Sequence, residues 1–165
     1  MWNGVIYDSG RDDPKVGETI EDWCRAAKFE FERHRDGEKG EFFDAYFRND
    51  TGTYYIEYEK KCKWYSGLFP YPTVHISLRK ENYFGDLDRN FAMFAVVSAS
   101  YKQIVFLPAW EVYKASPITL YNLHCGDQII PKETFYNVPS AQGIWWKFST
   151  NGWILVPKEK SFVTW

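Results

Sequence analysis

The chain has 165 residues, a length that suits a single domain, 1–165, built around one sizeable core. Aromatic residues make up 20% of it beside 25% charged residues, which excludes a disordered chain, because that much ring surface must be buried or must bind something. The 20 Lys and Arg against 22 Asp and Glu leave a net charge of -2, so strong non-specific nucleic-acid binding is not written into the bulk charge, and only a local basic patch stays open.

The N-terminal run MWNGVIYDSGRDD has neither a basic start nor an apolar stretch, so no signal peptide is expected. Thr19 followed by Asp22 reads as a capping-box variant. Ile20, Trp23, Cys24 and Ala27 then recur at helical spacing, which predicts a helix from about 19 to about 27. KFEFERHR (28–35) alternates as a strand does, and DGEKG (36–40) reads as a turn. EFFDAYFR and TYYIEYEKK flank NDTG as a hairpin. WYSGLFPYP (64–72) is an aromatic loop punctuated by Gly67, Pro70 and Pro72, and TVHISLRK (73–80) predicts a further strand.

FAMFAVVSAS (91–100) is a continuous apolar run of the kind buried on both faces of a sheet; it turns at Ser100–Lys102 and pairs with KQIVFLP (102–108) at the sheet centre. AWEVYKAS supplies one or two helical turns, Pro and Gly break 117–143 repeatedly, and IWWKFS and WILV close a second hairpin over Asn151–Gly152. The longest apolar stretch is far shorter than the about 18 residues of a membrane helix, so membrane insertion is not expected. Cys24, Cys62 and Cys125 are odd in number without a CxxC pair, which points to a reducing cytoplasm rather than a disulfide framework. The composite is an α+β fold in which one N-terminal helix packs on a mixed, mostly antiparallel sheet of six to eight strands.

Alternation places Phe43, Ala45 and Phe47 on one face and Asp44, Tyr46 and Arg48 on the other. Glu57, Glu59 and Lys61 share a face with Tyr55. Hairpin registers whose paired numbers sum to 103, 102 or 101 set Asp44 opposite Glu59, Tyr58 or Glu57, and two of the three bring carboxylates side by side. His75, Ser77 and Arg79 fall opposite Val74, Ile76 and Leu78. If this segment joins the same sheet, one surface collects Asp44, Glu57, Glu59, Lys61, His75 and Arg79. Carboxylates about 4 Å apart repel by about 1 kcal/mol in water and about 4 near a protein surface, a penalty that a divalent cation removes. Magnesium or manganese suits such oxygen ligands, with Lys61 placing a water and Arg79 or His75 meeting phosphate charge.

These residues resemble the PD-(D/E)XK nuclease superfamily over about residues 18–80. Asp44 looks like its first acid, Glu59-Lys60-Lys61 like its acid-x-Lys tripeptide, and Glu21 like its helical acid. The overlapping Glu57-Tyr58-Glu59 resembles an ExE variant that moves the second acid to Glu57. The resemblance implies a restriction-endonuclease-like fold and metal-dependent hydrolysis of nucleic acid, with Asp44 and Glu59 on the metal and Lys61, Glu57, Glu21, His75 and Arg79 around it. Two other readings stand beside it. The charged residues form a solvated sheet face paired across strands, or the chain is a non-catalytic module. In the latter, Trp64, Tyr65 and Tyr71, beside Lys60 and Lys63, bind nucleic acid, glycan or a protein partner by stacking and charge. Compact size and composition suit a viral or mobile-element protein, and the residues set no oligomeric state.

Overall fold

The structure, a computed structural model, describes residues 14–34, 42–61, 64, 65, 67, 69–85, 87–125 and 128–157, without the side chains of 124, 125 and 128. The turn expected at 36–40 lies outside these residues.

Helix α1 spans Pro14–Ala26, five residues ahead of the expected start. Proline fits a first helical turn because its missing N–H has no intrahelical partner there. Thr19 is therefore not a cap; its hydroxyl donates to the Lys15 carbonyl one turn back, at 2.6 Å. The helix ends on a left-handed residue, Lys28 (φ 63), with Lys28 N–H on the Arg25 carbonyl and Phe29 N–H on that of Cys24. That is the Schellman pattern, and Phe29 completes it by stacking on Trp23 at 5.8 Å. The alternating segment then continues as strand β1 (Glu30–Arg33).

Strands β2 (Ala45–Asn49), β3 (Gly52–Lys61), β5 (Ala92–Ser98), β6 (Gln103–Pro108), β9 (Ile144–Ser149) and β10 (Gly152–Val156) join β1 in a seven-stranded curled sheet, in the order β1-β2-β3-β5-β6-β9-β10. All neighbours are antiparallel except β3 and β5. The two expected hairpins and the central pair are present, although the second hairpin turns over Thr150–Asn151, between Ser149 and Gly152. A second sheet has the order β4-β8-β7, from Thr73–Ser77, Gln128–Pro139 and Pro117–Cys125.

Two expectations change here. The 73–80 segment does not join the main sheet: β4 ends at Ser77 and a 3-10 turn, Leu78–Lys80, follows. The proline-broken 117–143 region is mostly one long hairpin, β7 with β8. It keeps one register past Pro131, the position opposite Asn122, which takes φ 52, so the residue without an N–H falls where the ladder is locally relaxed.

Both faces of the seven-stranded sheet are covered. On one, Val16, Ile20, Trp23 and Cys24 of α1 pack against Ala45, Phe47, Ile56, Tyr58, Ala95, Val97, Ile104 and Phe106. On the other, the small sheet (Val74, Ile76, Tyr136, Val138) and helix α2 (Ala109–Lys114) cover Phe94, Val96, Val105 and Leu107. Phe43 belongs to this second face rather than with Ala45 and Phe47, because the strand, and with it the alternation, begins only at Ala45. Among the described residues no helix is long and apolar enough to cross a membrane.

Candidate active site: buried carboxylates and lysines

The β2–β3 hairpin adopts the register in which paired numbers sum to 101, with Ala45 opposite Ile56 and a tip at Asp50–Thr51. Asp44 lies just ahead of the first paired residue. Asp44 extends the ladder with its own side chain: its N–H donates to the Ile56 carbonyl at 2.9 Å, and its carboxylate accepts the Tyr58 N–H at 2.8 Å. β3 then outruns β2, so from Glu57 to Lys61 its strand partner is β5 alone.

Ile56 and Tyr58 point to the α1 side, which leaves Glu57, Glu59 and Lys61 on the side of the small sheet. There the acids are buried, not solvated. The group that meets them is Lys80, at the end of the 3-10 turn and 1% exposed. Its ammonium lies 2.7 Å from Glu57 Oε1 and 3.1 Å from Glu59 Oε2. Lys61 closes the row, with Nζ 2.6 Å from Glu59 Oε1 and donating to the His75 carbonyl at 2.8 Å. Glu57 and Glu59 are thus paired with the ammonium groups of Lys80 and Lys61. Burial alone would raise the Glu59 carboxyl, but Lys61 and Lys80 outweigh it and hold the group near pKa 2, against its usual 4.5.

The other residues singled out in the sequence are placed differently. Glu21 is half-buried on α1, the layer on the opposite side of the sheet from Glu57 and Glu59. His75 accepts from Lys61 through its carbonyl; its Nε2 is 3.0 Å from Asn137 Oδ1, and burial, then the charge of Lys61, lowers its pKa. Arg79 donates to the Tyr83 hydroxyl at 2.7 Å and lies 3.9 Å from Glu133, which also accepts the Ser77 hydroxyl. His75 and Arg79 are thus held by the second sheet, because their strand never joined the first.

Lys60 points to the other face of β3 from Lys61 and engages Tyr101 by a 3.1 Å hydrogen bond and over its ring. Lys63 lies outside the described residues. Trp64 is not a stacking surface: it is 1% exposed, donates its indole N–H to the Gly67 carbonyl, and packs on Phe69 and Trp145. Its carbonyl accepts the Ala99 N–H at 2.6 Å, which ties the loop to the end of β5. Tyr65 and Tyr71 remain exposed, at 72% and 46%.

Sequence reasoning missed Lys80, yet a signal was there. Continued alternation puts it in phase with the core residues Val74, Ile76 and Leu78, and a lysine in core phase calls for a buried counter-charge. Among the described residues, no group of three or more His, Cys, Asp or Glu side chains is arranged to hold a metal ion. In the arrangement seen, Glu57 and Glu59 face Lys80 and Asp44 faces a backbone amide. No protein-family profile matches the chain, and no curated protein is detectably similar to it.

Proposed function

We propose that the protein is a metal-dependent phosphodiesterase acting on nucleic acid, with magnesium or manganese as cofactor and the cytoplasm as its setting. The observation that carries this reading is the hairpin register. It ends at Ala45–Ile56, so that the Asp44 carboxylate reaches the Tyr58 amide, between Glu57 and Glu59, where β3 outruns β2. That register favours the ExE version of the PD-(D/E)XK likeness, with Glu57 as second acid. The donors suit the ion in kind, since magnesium takes hard oxygens and needs only one or two carboxylates beside waters and substrate oxygens.

Asp44, Glu57 and Glu59 would hold the ion. When bound, it would supply an activated water and neutralise charge on the phosphate. Lys61, the more exposed of the two lysines and anchored on the His75 carbonyl, orients the attacking water. Asp44 is positioned by the Tyr58 amide, so it presents a fixed carboxylate rather than a mobile one.

The test is cleavage of labelled single-stranded DNA, duplex DNA and RNA with manganese, magnesium or chelator. Metal-dependent cleavage is expected, with Asp44→Asn lowering it about 100-fold or more, an effect of about 2.7 kcal/mol on the barrier. Absence of cleavage of all three substrates, together with absence of manganese binding, overturns the reading.

The exposed rings of Tyr65 and Tyr71 support a second reading, a module that binds nucleic acid, glycan or a protein partner without cleaving it. In that case Tyr65→Ala with Tyr71→Ala weakens binding while Asp44→Asn leaves it intact.

A further inference from the structure

A cavity of about 380 Å³ opens over the last strands of the seven-stranded sheet, and neither the buried carboxylates nor the exposed Tyr65 and Tyr71 contribute to it. Strand pairing fixes what its sheet wall presents. Gln103 of β6 lies opposite Lys147 of β9, which lies opposite Ile154 of β10; the next row on that face is Val105, Trp145 and Val156. Trp64 and Phe69 of the aromatic loop, with Pro157, extend the lining. β9 stands three strands from β3, about 14 Å along the sheet, so the cavity is distinct from the row of Glu57, Glu59 and Lys80.

Its polar side chains are both donors. Ser98 Oγ accepts the Lys102 and Gln103 N–H groups at 3.3 and 3.1 Å, so its own proton goes to Gln103 Oε1, 2.5 Å away. The Ser100 hydroxyl donates to the same oxygen at 3.0 Å. The amide oxygen is thereby saturated, and the Nε2 hydrogens, without a partner among the described residues, are left for the cavity. Lys147 is exposed and forms no ion pair with a described residue. Trp64 and Trp145 donate their indole N–H groups to the Gly67 and Ser140 carbonyls, so both rings present apolar surface only.

An apolar chamber with an ammonium and an amide donor, and no charged acceptor, selects a ligand that is apolar over most of its surface and negative at one end. The volume falls at the small end of the about 300–1,000 Å³ of ligand sites, which suits a compact molecule rather than a polymer segment. The aromatic surface of Trp64, Phe69, Trp145 and Trp146 favours a ring over an alkyl chain, through edge and offset contacts. We propose that this cavity binds a small organic anion with a flat ring, an aromatic carboxylate or a nucleoside monophosphate, its ring beside Trp145, Ile154 and Val156 and its anionic group on Lys147 and the Gln103 amide. The site needs no metal and stands whether or not the carboxylates act on nucleic acid.

The experiment is calorimetric titration of the full chain, in chelator, with adenosine monophosphate, naphthoate and octanoate. Binding of at least one ring anion is expected, weakened about tenfold or more in Lys147→Met and lost in Ile154→Trp, which fills the cavity. Lys147 and Ile154 are both exposed, so circular dichroism should show the wild-type fold in each variant; if Ile154→Trp misfolds, Lys147→Met decides alone. Binding of adenosine monophosphate alone assigns a nucleotide, and of naphthoate alone an aromatic acid. Absence of binding by both at millimolar concentration overturns the proposal, as does unchanged affinity in either folded variant, or octanoate bound as tightly as the ring anions. Because chelator is present throughout, metal-dependent cleavage can fail while this site binds, and an empty cavity leaves the cleavage reading intact.

Discussion

The two faces of the seven-stranded sheet are both buried, but they are closed by different physics. On the α1 side Trp23 is the hub, with ring centroids 4.5 Å from Phe106, 5.5 Å from Trp146 and 5.7 Å from Phe47. That layer is apolar throughout its buried cluster. The other face has rings enough of its own, Phe43, Trp64, Phe69, Phe94 and Trp145 among them, yet it admits Glu57, Glu59 and Lys80 to its interior. Each buried ion loses several kcal/mol of hydration, and apolar residues of similar volume often stabilise as well or better. On the α1 face the described contacts that close the sheet are mainly apolar, whereas the buried Glu57, Glu59 and Lys80 lie on the opposite one. The charged residues on the opposite face therefore need a reason other than stability.

The sharpest way to break that contrast is to remove the centre of each face. Trp23→Ala should cost about 3–5 kcal/mol in denaturant unfolding, because it leaves a cavity, and the loss should be the same at neutral and acid pH. Lys80→Ala should cost about 3–5 kcal/mol at neutral pH, because it leaves two buried carboxylates without their cation. Its cost should shrink as pH falls and the acids take up protons. An acid-independent loss in Lys80→Ala would place the residue with Trp23 as packing, and the distinction between the faces would disappear.

A smaller effect sharpens the charged side within the wild-type protein. Glu59 is held near pKa 2 in the folded chain, against 4.5 ordinarily, by Lys61 and Lys80 acting against burial. A depressed folded pKa contributes stability that is fully present above the unfolded value. It is lost as pH falls from about 4.5 through about 2, an amount on the order of 3 kcal/mol. Glu59→Gln should remove that slope from the acid limb of the stability curve. An identical limb in wild type and Glu59→Gln would mean that the carboxylate is not ionised in its pair.

How much of this was legible in the sequence follows the same division. Alternation and turn chemistry predicted both tight hairpins, and the apolar run predicted the buried central strand, because those signals act between residues close in the chain. The long β7–β8 hairpin was hidden by Pro117, Pro131 and Pro139; the prolines fall at strand ends and opposite a left-handed Asn122, where a missing N–H costs little. Sheet membership was not readable either, since alternation says which residues share a face and nothing about which sheet the strand joins. That is why Glu57, Glu59 and Lys61 share a face of β3 while His75 and Arg79 went with the second sheet and Asp44 is held on the Tyr58 amide. Lys80 was visible only as a charge in core phase, and its partners could not be named until the crossover was seen to fold over β3.

The smallest expected effect tests how tightly the apolar face is coupled to the strand that carries the acids. Gly17 lies in α1 where an added Cβ would come within 2.6 Å of the Arg33 guanidinium and 2.8 Å of the Tyr58 hydroxyl. Those two groups share a 3.2 Å hydrogen bond. Gly17→Ala gains about 1 kcal/mol of helix propensity. Against that gain, Arg33 can swing into solvent and give up its bond, but the Tyr58 ring is buried among α1 and β6 residues and its backbone amide is engaged by Asp44. Crowding at such a fixed group typically costs about 1–3 kcal/mol, so a net loss of about 1 kcal/mol is expected, read as a lower denaturant midpoint at unchanged slope. Stabilisation by the full propensity gain would mean that α1 slides away from β3 without penalty. In that event the apolar layer does not fix the position of Tyr58, and the Asp44 carboxylate loses the rigid support of the Tyr58 amide that it accepts from.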